Sequence, residues 1–204
     1  MVRQINHPII LHKLGQIREK STSSEDLRRL LEDITFMALV LMFEKLNTEK
    51  RSIKTPMEEA IAEFIDEERL VFVPILRAGL PMLNGSLKLF PKAKAGFLAI
   101  KRDEETLQPT LYYSRLPELK GKTALILDPM LATGGTVSIA IQKVKKESPK
   151  ELLTLHIVSS PEGVKHVEKE YPDVLVNVIS VDEALTPNGY IIPGVGDIGN
   201  RLYY

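Results

Sequence analysis

The chain has 204 residues, and 27 Lys+Arg balance 27 Asp+Glu to a formal net charge of zero, which argues against the basic excess of a nucleic-acid- or membrane-surface-binding protein. Hydrophobic residues make up 44%, enough to bury the core of one domain, and the absence of cysteine removes disulfides, thiolate metal sites and a cysteine nucleophile. The most apolar run, 36–43, is far shorter than the roughly 20 residues that span a bilayer. Arg3, His7 and Pro8 interrupt the start where a signal peptide would be apolar, so no membrane association and a cytoplasmic location are expected.

Ser23 and Asp26 form a capping box that predicts a helix running to about Asn47, with Leu27, Leu30, Leu31, Ile34, Ala38 and Leu41 along one stripe. Phe36, Leu39, Val40 and Phe43 fall off that stripe. A helix apolar on several sides is normally buried on several sides, which predicts a second subunit and hence a homo-oligomer. Thr55-Pro56-Met57-Glu58 reads as the start of a second helix, with Pro at its first position.

From Leu70 onward the pattern changes to short aliphatic and β-branched runs at 70–76, 95–100, 123–127, 152–158 and 174–180. Helical stretches near 81–90, 137–147 and 162–170 lie between several of them. Such alternation predicts a buried parallel sheet with right-handed crossovers, whose ligands bind beyond the strands' carboxyl ends. The chain is expected to be one domain: a mainly helical part over 1–68, an α/β core over 69–181, and a segment over 182–204.

The strand at 123–127 ends in Asp128, and Thr133-Gly134-Gly135-Thr136 then opens a helix whose buried face is Val137, Ala140, Ile141 and Val144. A helix N-terminus presents unpaired N–H groups and the positive end of a dipole, which suits a phosphate. The glycines allow close approach, Thr133 and Thr136 add hydroxyl donors, and Asp128 can accept hydrogen bonds from two neighbouring sugar hydroxyls. Together they read as a ribose-phosphate clamp. It is not a P-loop, because Gly135 is followed directly by Thr136. Gly194-Val-Gly196-Asp197-Ile-Gly199 spells a dinucleotide fingerprint, but only five residues follow it, too few for the helix that such a motif opens.

Other segments carry further polar chemistry. Arg77-Ala78-Gly79 lies just past the first strand, where a guanidinium can meet diphosphate oxygens. The polar stretch 103–117 looks like a lid, and its Glu104 and Glu105 read as a solvated loop rather than a catalytic dyad. The glycine-rich stretch 189–199 is suited to wrapping main-chain groups around a small planar ligand and is expected to add little to the core. The histidines His7, His12, His156 and His166 show no metal-ligand spacing, and His156 reads as structural.

Asp128-Pro129-Met130-Leu131-Ala132-Thr133-Gly134-Gly135 resembles the diphosphoribose-binding motif of type I phosphoribosyltransferases, in the form typical of the uracil phosphoribosyltransferase family, where Pro129 takes the place of a second acid. Pro74-Ile-Leu-Arg77-Ala-Gly, the Arg102 region and Gly189-Tyr190-Ile191-Ile-Pro193-Gly194-Val-Gly196-Asp197 resemble the same family, and the similarity extends over nearly the whole chain. The resemblance implies an α/β type I phosphoribosyltransferase-like fold: a twisted, mainly parallel sheet flanked by helices, with a hood built from the N- and C-terminal parts. It implies transfer of phosphoribosyl from 5-phospho-α-ribosyl 1-diphosphate to uracil, with Mg²⁺ held mainly by the diphosphate and a GTP effector as in some relatives. Arg77, Arg102, Asp128 and 129–136, with Asp197, would bind phosphoribosyl diphosphate, and Ile191, Gly196, Asp197 and Ile198 would bind uracil. Asp128 and Asp197 would be the catalytic acids.

Two departures from the family pattern stand out: Ile198, where alanine is usual, and Asn200, where aspartate is common. If position 198 acts through its backbone, the larger side chain can point away; if it lines the pocket, base specificity changes. Alternatives are a phosphoribosyltransferase for another base and a pyrimidine-sensing, RNA-binding regulator on the same fold.

Overall fold

A computed structural model describes residues 1–102 and 108–204 of the chain and, of Arg102, the backbone alone. In chain order, β1 (Val2–Gln4) leads into α1 (Pro8–Arg18) and α2 (Ser24–Met42), followed by a hairpin of β2 (Glu49–Lys54) and β3 (Glu59–Phe64). The α/β part comprises β4 (Leu70–Leu76), α3 (Leu80–Leu89), β5 (Lys94–Ala95), β6 (Phe97–Arg102), β7 (Pro109–Arg115), β8 (Thr123–Leu127), β9 (Met130–Leu131), α4 (Gly135–Lys145), β10 (Glu151–Ser159), α5 (Pro161–Glu170) and β11 (Leu175–Val181). Last come β12 (Ala184–Leu185), β13 (Ile191–Ile192) and α6 (Ile198–Tyr203).

The apolar runs are continuous because both faces of their sheet are covered. Successive side chains point to opposite faces. Leu70 and Phe72 of β4, with Leu125 and Leu127 of β8, meet a core shared with α1, α2 and α3. Val71, Val73 and Ile75, with Ala124 and Ile126, meet a second core formed with Val137, Ala140, Ile141 and Val144 of α4. The main strands lie in the order β1-β11-β10-β8-β4-β6-β7. Every pairing along it is parallel except that of β6 with β7.

From β4 the chain passes through α3 to β6 on one side, whereas β8 inserts on the other side and β10 and β11 continue outward. The helices follow the same division, α3 on the first core and α4 on the second. The loops leaving β4 and β8 therefore part at the strands' carboxyl ends, and a crevice is left between them.

Several sequence expectations need correction. The Ser23 cap forms, with Asp26 N–H donating to Ser23 Oγ at 3.1 Å, but α2 ends at Met42 rather than near Asn47. Thr55-Pro56-Met57-Glu58 does not start a helix; it is the turn between β2 and β3. Thr55 Oγ1 accepts from the N–H groups of Met57 at 3.2 Å and Glu58 at 3.0 Å, the same local bonds that a helix cap would make. The first 68 residues also contribute β1 to the edge of the central sheet, beside β11. Residues 109–115 of the expected lid form β7, a strand with one exposed face whose polarity mimics a loop. Residues 103–107, including Glu104 and Glu105, lie outside the described residues. No helix among the described residues is long and apolar enough to cross a membrane.

The two ends of the chain build one hood. Ile198 and Leu202 are buried in the core that α2 shares, and Arg28 donates to the Leu202 carbonyl at 2.6 Å. Arg201 donates to the carbonyls of Ile17 at 2.8 Å and Glu19 at 2.6 Å, at the end of α1. Arg18 forks onto Asp182, with Nη1 to Oδ2 at 2.7 Å and Nη2 to Oδ1 at 2.6 Å. The same Nη1 reaches the Gly194 carbonyl at 2.7 Å, while Gly194 N–H donates to Asp182 Oδ2 at 2.8 Å. Gly194 has φ of 61°, and a Cβ there would collide with the Ile191 carbonyl. This turn needs glycine on both counts.

Burial alone would push the Asp182 carboxyl up, but hydrogen bonds from Arg18, Ser180 and Gly194 outweigh it and hold the group below its ordinary 3.8. A depressed carboxyl pKa stabilises the fold above the unfolded value, and that contribution is lost as pH falls through the native one. Asp182→Ala leaves Arg18 without its ion-pair partner and is expected to cost about 3–5 kcal/mol at pH 7. Urea unfolding checks this, and the gap to the parent chain should narrow as pH is lowered below 4. A gap independent of pH would assign the loss to packing instead of charge.

Candidate active site

The crevice between the β4 and β8 loops is a cavity of about 260 Å³, floored by Ile75, Leu76 and Ile100 at the carboxyl ends of β4 and β6. Its walls come from Arg77 and Ala78, from the Asp128–Val137 stretch, and from the C-terminal segment.

Asp128 sits one residue beyond β8 and is buried. His156 of β10 fixes it from behind, its Nδ1 lying 2.8 Å from the Asp128 carbonyl while Nε2 lies 3.0 Å from Thr154 Oγ1. A carbonyl can only accept, so Nδ1 carries the proton and the Thr154 hydroxyl donates to Nε2. Burial lowers the His156 pKa from 6.5 to about 4, against the opposing pull of the Asp128 carbonyl. The ring is therefore neutral at pH 7. It is the satisfied structural histidine that its place in an apolar strand suggested, and its bond holds the backbone of the acid.

Burial raises the Asp128 carboxyl from 3.8 to about 7, only partly offset by the Met130 N–H that reaches Oδ1 at 3.4 Å. A buried carboxylate facing a cavity is costly when nothing hydrogen-bonds to it, and hydroxyl donors arriving there would favour its charged form.

The helix after Asp128, α4, has Gly134 at its N-cap, with φ of 88° and no side-chain cap. A Cβ on Gly134 would lie 2.6 Å from His166 Cδ2. The first ladder bond of α4 runs from Ser138 N–H to the Gly134 carbonyl at 2.9 Å. The amides of Gly135, Thr136 and Val137 thus precede the helix's own ladder, at the positive end of its dipole. Thr133, Gly134 and Thr136 line the cavity there.

On the opposite wall, Arg77 is exposed, and its Nη1 donates to the Tyr204 hydroxyl at 2.8 Å. Its guanidinium carbon lies 4.8 Å from the Tyr204 ring centroid and 5.7 Å from that of Tyr203.

The third wall is the glycine-rich segment, held by the β12–β13 pairing. Gly189, Tyr190, Ile191, Gly196 and Asp197 line the cavity. Asp197 caps α6, its Oδ1 accepting from Asn200 N–H at 2.8 Å. That bond uses the backbone of residue 200, so asparagine serves there as well as aspartate. The expectation that too few residues follow Gly199 for a helix is corrected by α6, which already begins at Ile198. The strand before it, β13, ends at Ile192 and does not lead directly into it, so the dinucleotide reading fails on that context. The expectation of little core from 189–199 is corrected too, because Ile191, Val195 and Ile198 are all buried.

Of the residues singled out in the sequence, Arg77, Asp128, Met130, Leu131, Ala132, Thr133, Gly134, Thr136, Ile191, Gly196 and Asp197 share this cavity. Pro129, Gly135 and Ile198 are not among its lining residues. Ile198 is fully buried in the hood core, so its larger side chain points away from the cavity. The side chain of Arg102 lies outside the described residues, although its backbone ends β6. Ile75, Leu76, Ala78, Ile100, Val137, Gly189 and Tyr190 also line the cavity without having been assigned individually to a ligand. Their signal in the sequence is position, since most of them end a strand or adjoin a motif. Among the described residues no group of three His, Cys, Asp or Glu is placed to hold a metal. Such a donor set suits Mg²⁺ only if phosphate oxygens supply most of the ligands.

A family model described as uracil phosphoribosyltransferase matches residues 4–204. A protein of Aquifex aeolicus (strain VF5) named uracil phosphoribosyltransferase is 47% identical over 203 residues, covering 100% of this chain and 98% of the relative. A protein of the same name from Clostridium botulinum (strain Eklund 17B / Type B) is 41% identical, covering 99% and 97%. Among solved structures, the AQ2163 protein from Aquifex aeolicus superposes with a TM-score of 0.97 at 47% identity, covering 100% of this chain and 98% of that one.

The raised Asp128 pKa has a sign opposite to that of Asp182. Between pH 3.8 and about 7 the unfolded chain releases this proton while the native chain keeps it, so the native state loses stability as pH rises. Asp128→Asn is expected to match the parent's thermal midpoint near pH 4 and to exceed it at pH 8, by about 4 kcal/mol in stability, because the carboxyl's rise from 3.8 to about 7 counts for about 1.36 kcal/mol per pH unit. Scanning calorimetry of the ligand-free protein at both pH values checks this. An equal gain at both would remove the buried charge as its cause.

Proposed function

The chain belongs to the uracil phosphoribosyltransferase family, and from that premise we propose that its cavity joins uracil to the phosphoribosyl group of 5-phospho-α-ribosyl 1-diphosphate, giving UMP and diphosphate in pyrimidine salvage. The chain is a pentosyltransferase. The observation that carries the reading is the meeting of Thr133, Gly134 and Thr136 with Gly196 and Asp197 across one hollow. A sugar-phosphate turn and a glycine-rich base segment have to meet in this way for one substrate to attack the other.

In this reading the amides at the start of α4 and the hydroxyls of Thr133 and Thr136 take the 5′-phosphate. Asp128, ionised once ribose is bound, accepts from the two ribose hydroxyls and stabilises positive charge as it develops on the sugar. Arg77 and Arg102 counter the growing charge of the departing diphosphate. Mg²⁺ would be held mainly by the diphosphate and would supply neutralisation of part of that charge. Uracil attacks through N1 from the face opposite the leaving group, so the bond to diphosphate breaks as the bond to N1 forms, the N1 proton passes to water or to the departing diphosphate, and the anomeric configuration inverts.

Uracil presents two carbonyl acceptors and one imide donor, which main-chain groups around Ile191, Gly196 and Asp197 can satisfy. The burial of the Ile198 side chain supports a backbone role for that position as well. Cytosine turns the imide donor into an acceptor and one carbonyl into an amine. Buried main-chain groups would then be left unpaired, a penalty that separates bases strongly. Val40, an apolar residue of α2 left exposed, supports assembly with a second copy.

The test is product identity when phosphoribosyl diphosphate, Mg²⁺ and a panel of bases are supplied. UMP alone is expected. A purine or orotate nucleotide would reassign the base, and RNA binding without turnover would favour a regulator. In the same assay Asp128→Ala is expected to lower kcat by about 10²–10³, the scale on which loss of one preorganised charge-stabilising group is felt. Turnover near the parent's would remove Asp128 from the clamp.

A further inference from the structure

Arg77 leaves the sheet on a short loop, and among the described residues no near neighbour in sequence holds its side chain. Its partners come from 126 and 127 positions away. The Tyr203 hydroxyl donates to the Arg77 carbonyl at 3.2 Å, and the Tyr204 hydroxyl accepts from Nη1 at 2.8 Å. The guanidinium also lies 4.8 Å from the Tyr204 ring centroid, within the reach of a cation–π contact. Two consecutive residues thus hold both ends of one arginine. They are themselves anchored, because Leu202 is buried and its carbonyl accepts from Arg28 of α2 at 2.6 Å.

We propose that Tyr203 and Tyr204 are positioning residues for phosphoribosyl diphosphate, aiming Arg77 at the cavity without neutralising it. The chemistry of the partners carries the inference. Among the described residues Arg77 makes no ion pair, in contrast to Arg18 and its carboxylate. A carboxylate would hold a guanidinium equally well but would cancel the charge that attracts a polyanion. A phenol and two ring faces hold it and leave the charge in place. Among the described residues Tyr204 takes one of the five N–H donors, which leaves the others for phosphate oxygens. A side chain fixed beforehand loses less rotamer freedom when the anion arrives.

The inference rests on the reading of Arg77 as a diphosphate ligand, and a double-mutant cycle separates the two. Affinity for phosphoribosyl diphosphate is measured by calorimetry in the intact protein with Mg²⁺, alongside steady-state KM for each substrate. Tyr204 is 85% exposed, so its replacement leaves the core intact. Tyr204→Leu is expected to weaken phosphoribosyl diphosphate binding about tenfold, which is about 1.4 kcal/mol, with the KM for uracil unchanged. Tyr204→Phe keeps the ring and should lose less. In an Arg77→Ala background Tyr204→Leu should add nothing. Unchanged or tighter binding in Tyr204→Leu while Arg77→Ala weakens it would overturn the positioning role alone. Additive losses would do the same, because Tyr204 would then act independently of Arg77. Unchanged affinity in Arg77→Ala would overturn the diphosphate reading of that arginine and the inference with it.

Discussion

The reversal of winding between β4 and β8 is the constraint on which the rest of the structure depends. With α3 on one face of the sheet and α4 on the other, the loops leaving these neighbouring strands cannot lie against each other. Arg77 follows the last residue of β4 and Asp128 the last residue of β8, so the topology alone sets them on opposite lips of one crevice. Strand register then fixes which way each loop departs. A slip of one residue in β8 would turn Leu125 and Leu127 into the wrong core. The apolar pattern that builds the sheet is therefore also what aims the polar residues beyond it.

A crevice gives a place but not a rigid site, and each wall is held from behind. His156 ties the Asp128 backbone through a neutral ring whose other nitrogen Thr154 satisfies. Arg18 and Asp182 grip Gly194 from both sides of its peptide. Arg201 binds the Val195 carbonyl at 2.7 Å and, with its other contacts, the end of α1. None of these side chains lines the cavity. Asp128 is the exception in energetic terms, since its burial works against its charged form. The rigid support around it is what keeps such a group in place until hydrogen-bond donors arrive.

Legibility in the sequence followed the physics of each element. The runs at 70–76 and 123–127 match β4 and β8 end to end, because strands buried on both faces are apolar throughout and stop where polarity begins. Asp128 and the Thr133–Thr136 turn were readable for the same reason, as polar residues abutting a buried strand. Thr55 misled because one hydroxyl makes the same local bonds in a hairpin turn as at a helix start. β7 was hidden because only one of its faces is covered, and α6 because it is held by the burial of Leu202 and the bonds of Arg201 to the end of α1 more than by bonds within its own six residues. The partnerships of Arg18 with Asp182 and of Arg77 with Tyr204 span 164 and 127 positions. No local pattern in a single sequence carries such pairings.

A chain of zero net charge that binds a polyanion has to make its positive field locally, and the pairing of its arginines shows how. Arg18 is joined to a carboxylate, and Arg28 and Arg201 are joined to carbonyls; all three act as braces. Arg77, at the cavity, is braced by aromatic rings and a phenol instead. A carboxylate partner subtracts a full charge from the field, a carbonyl dipole subtracts less, and an aromatic face stabilises the cation while leaving its edge N–H groups open. The distribution of partner types, rather than the number of basic residues, decides where an anion is attracted. Composition is silent on that distribution, which is why equal counts of acids and bases are compatible with a site for a phosphorylated, diphosphate-bearing sugar.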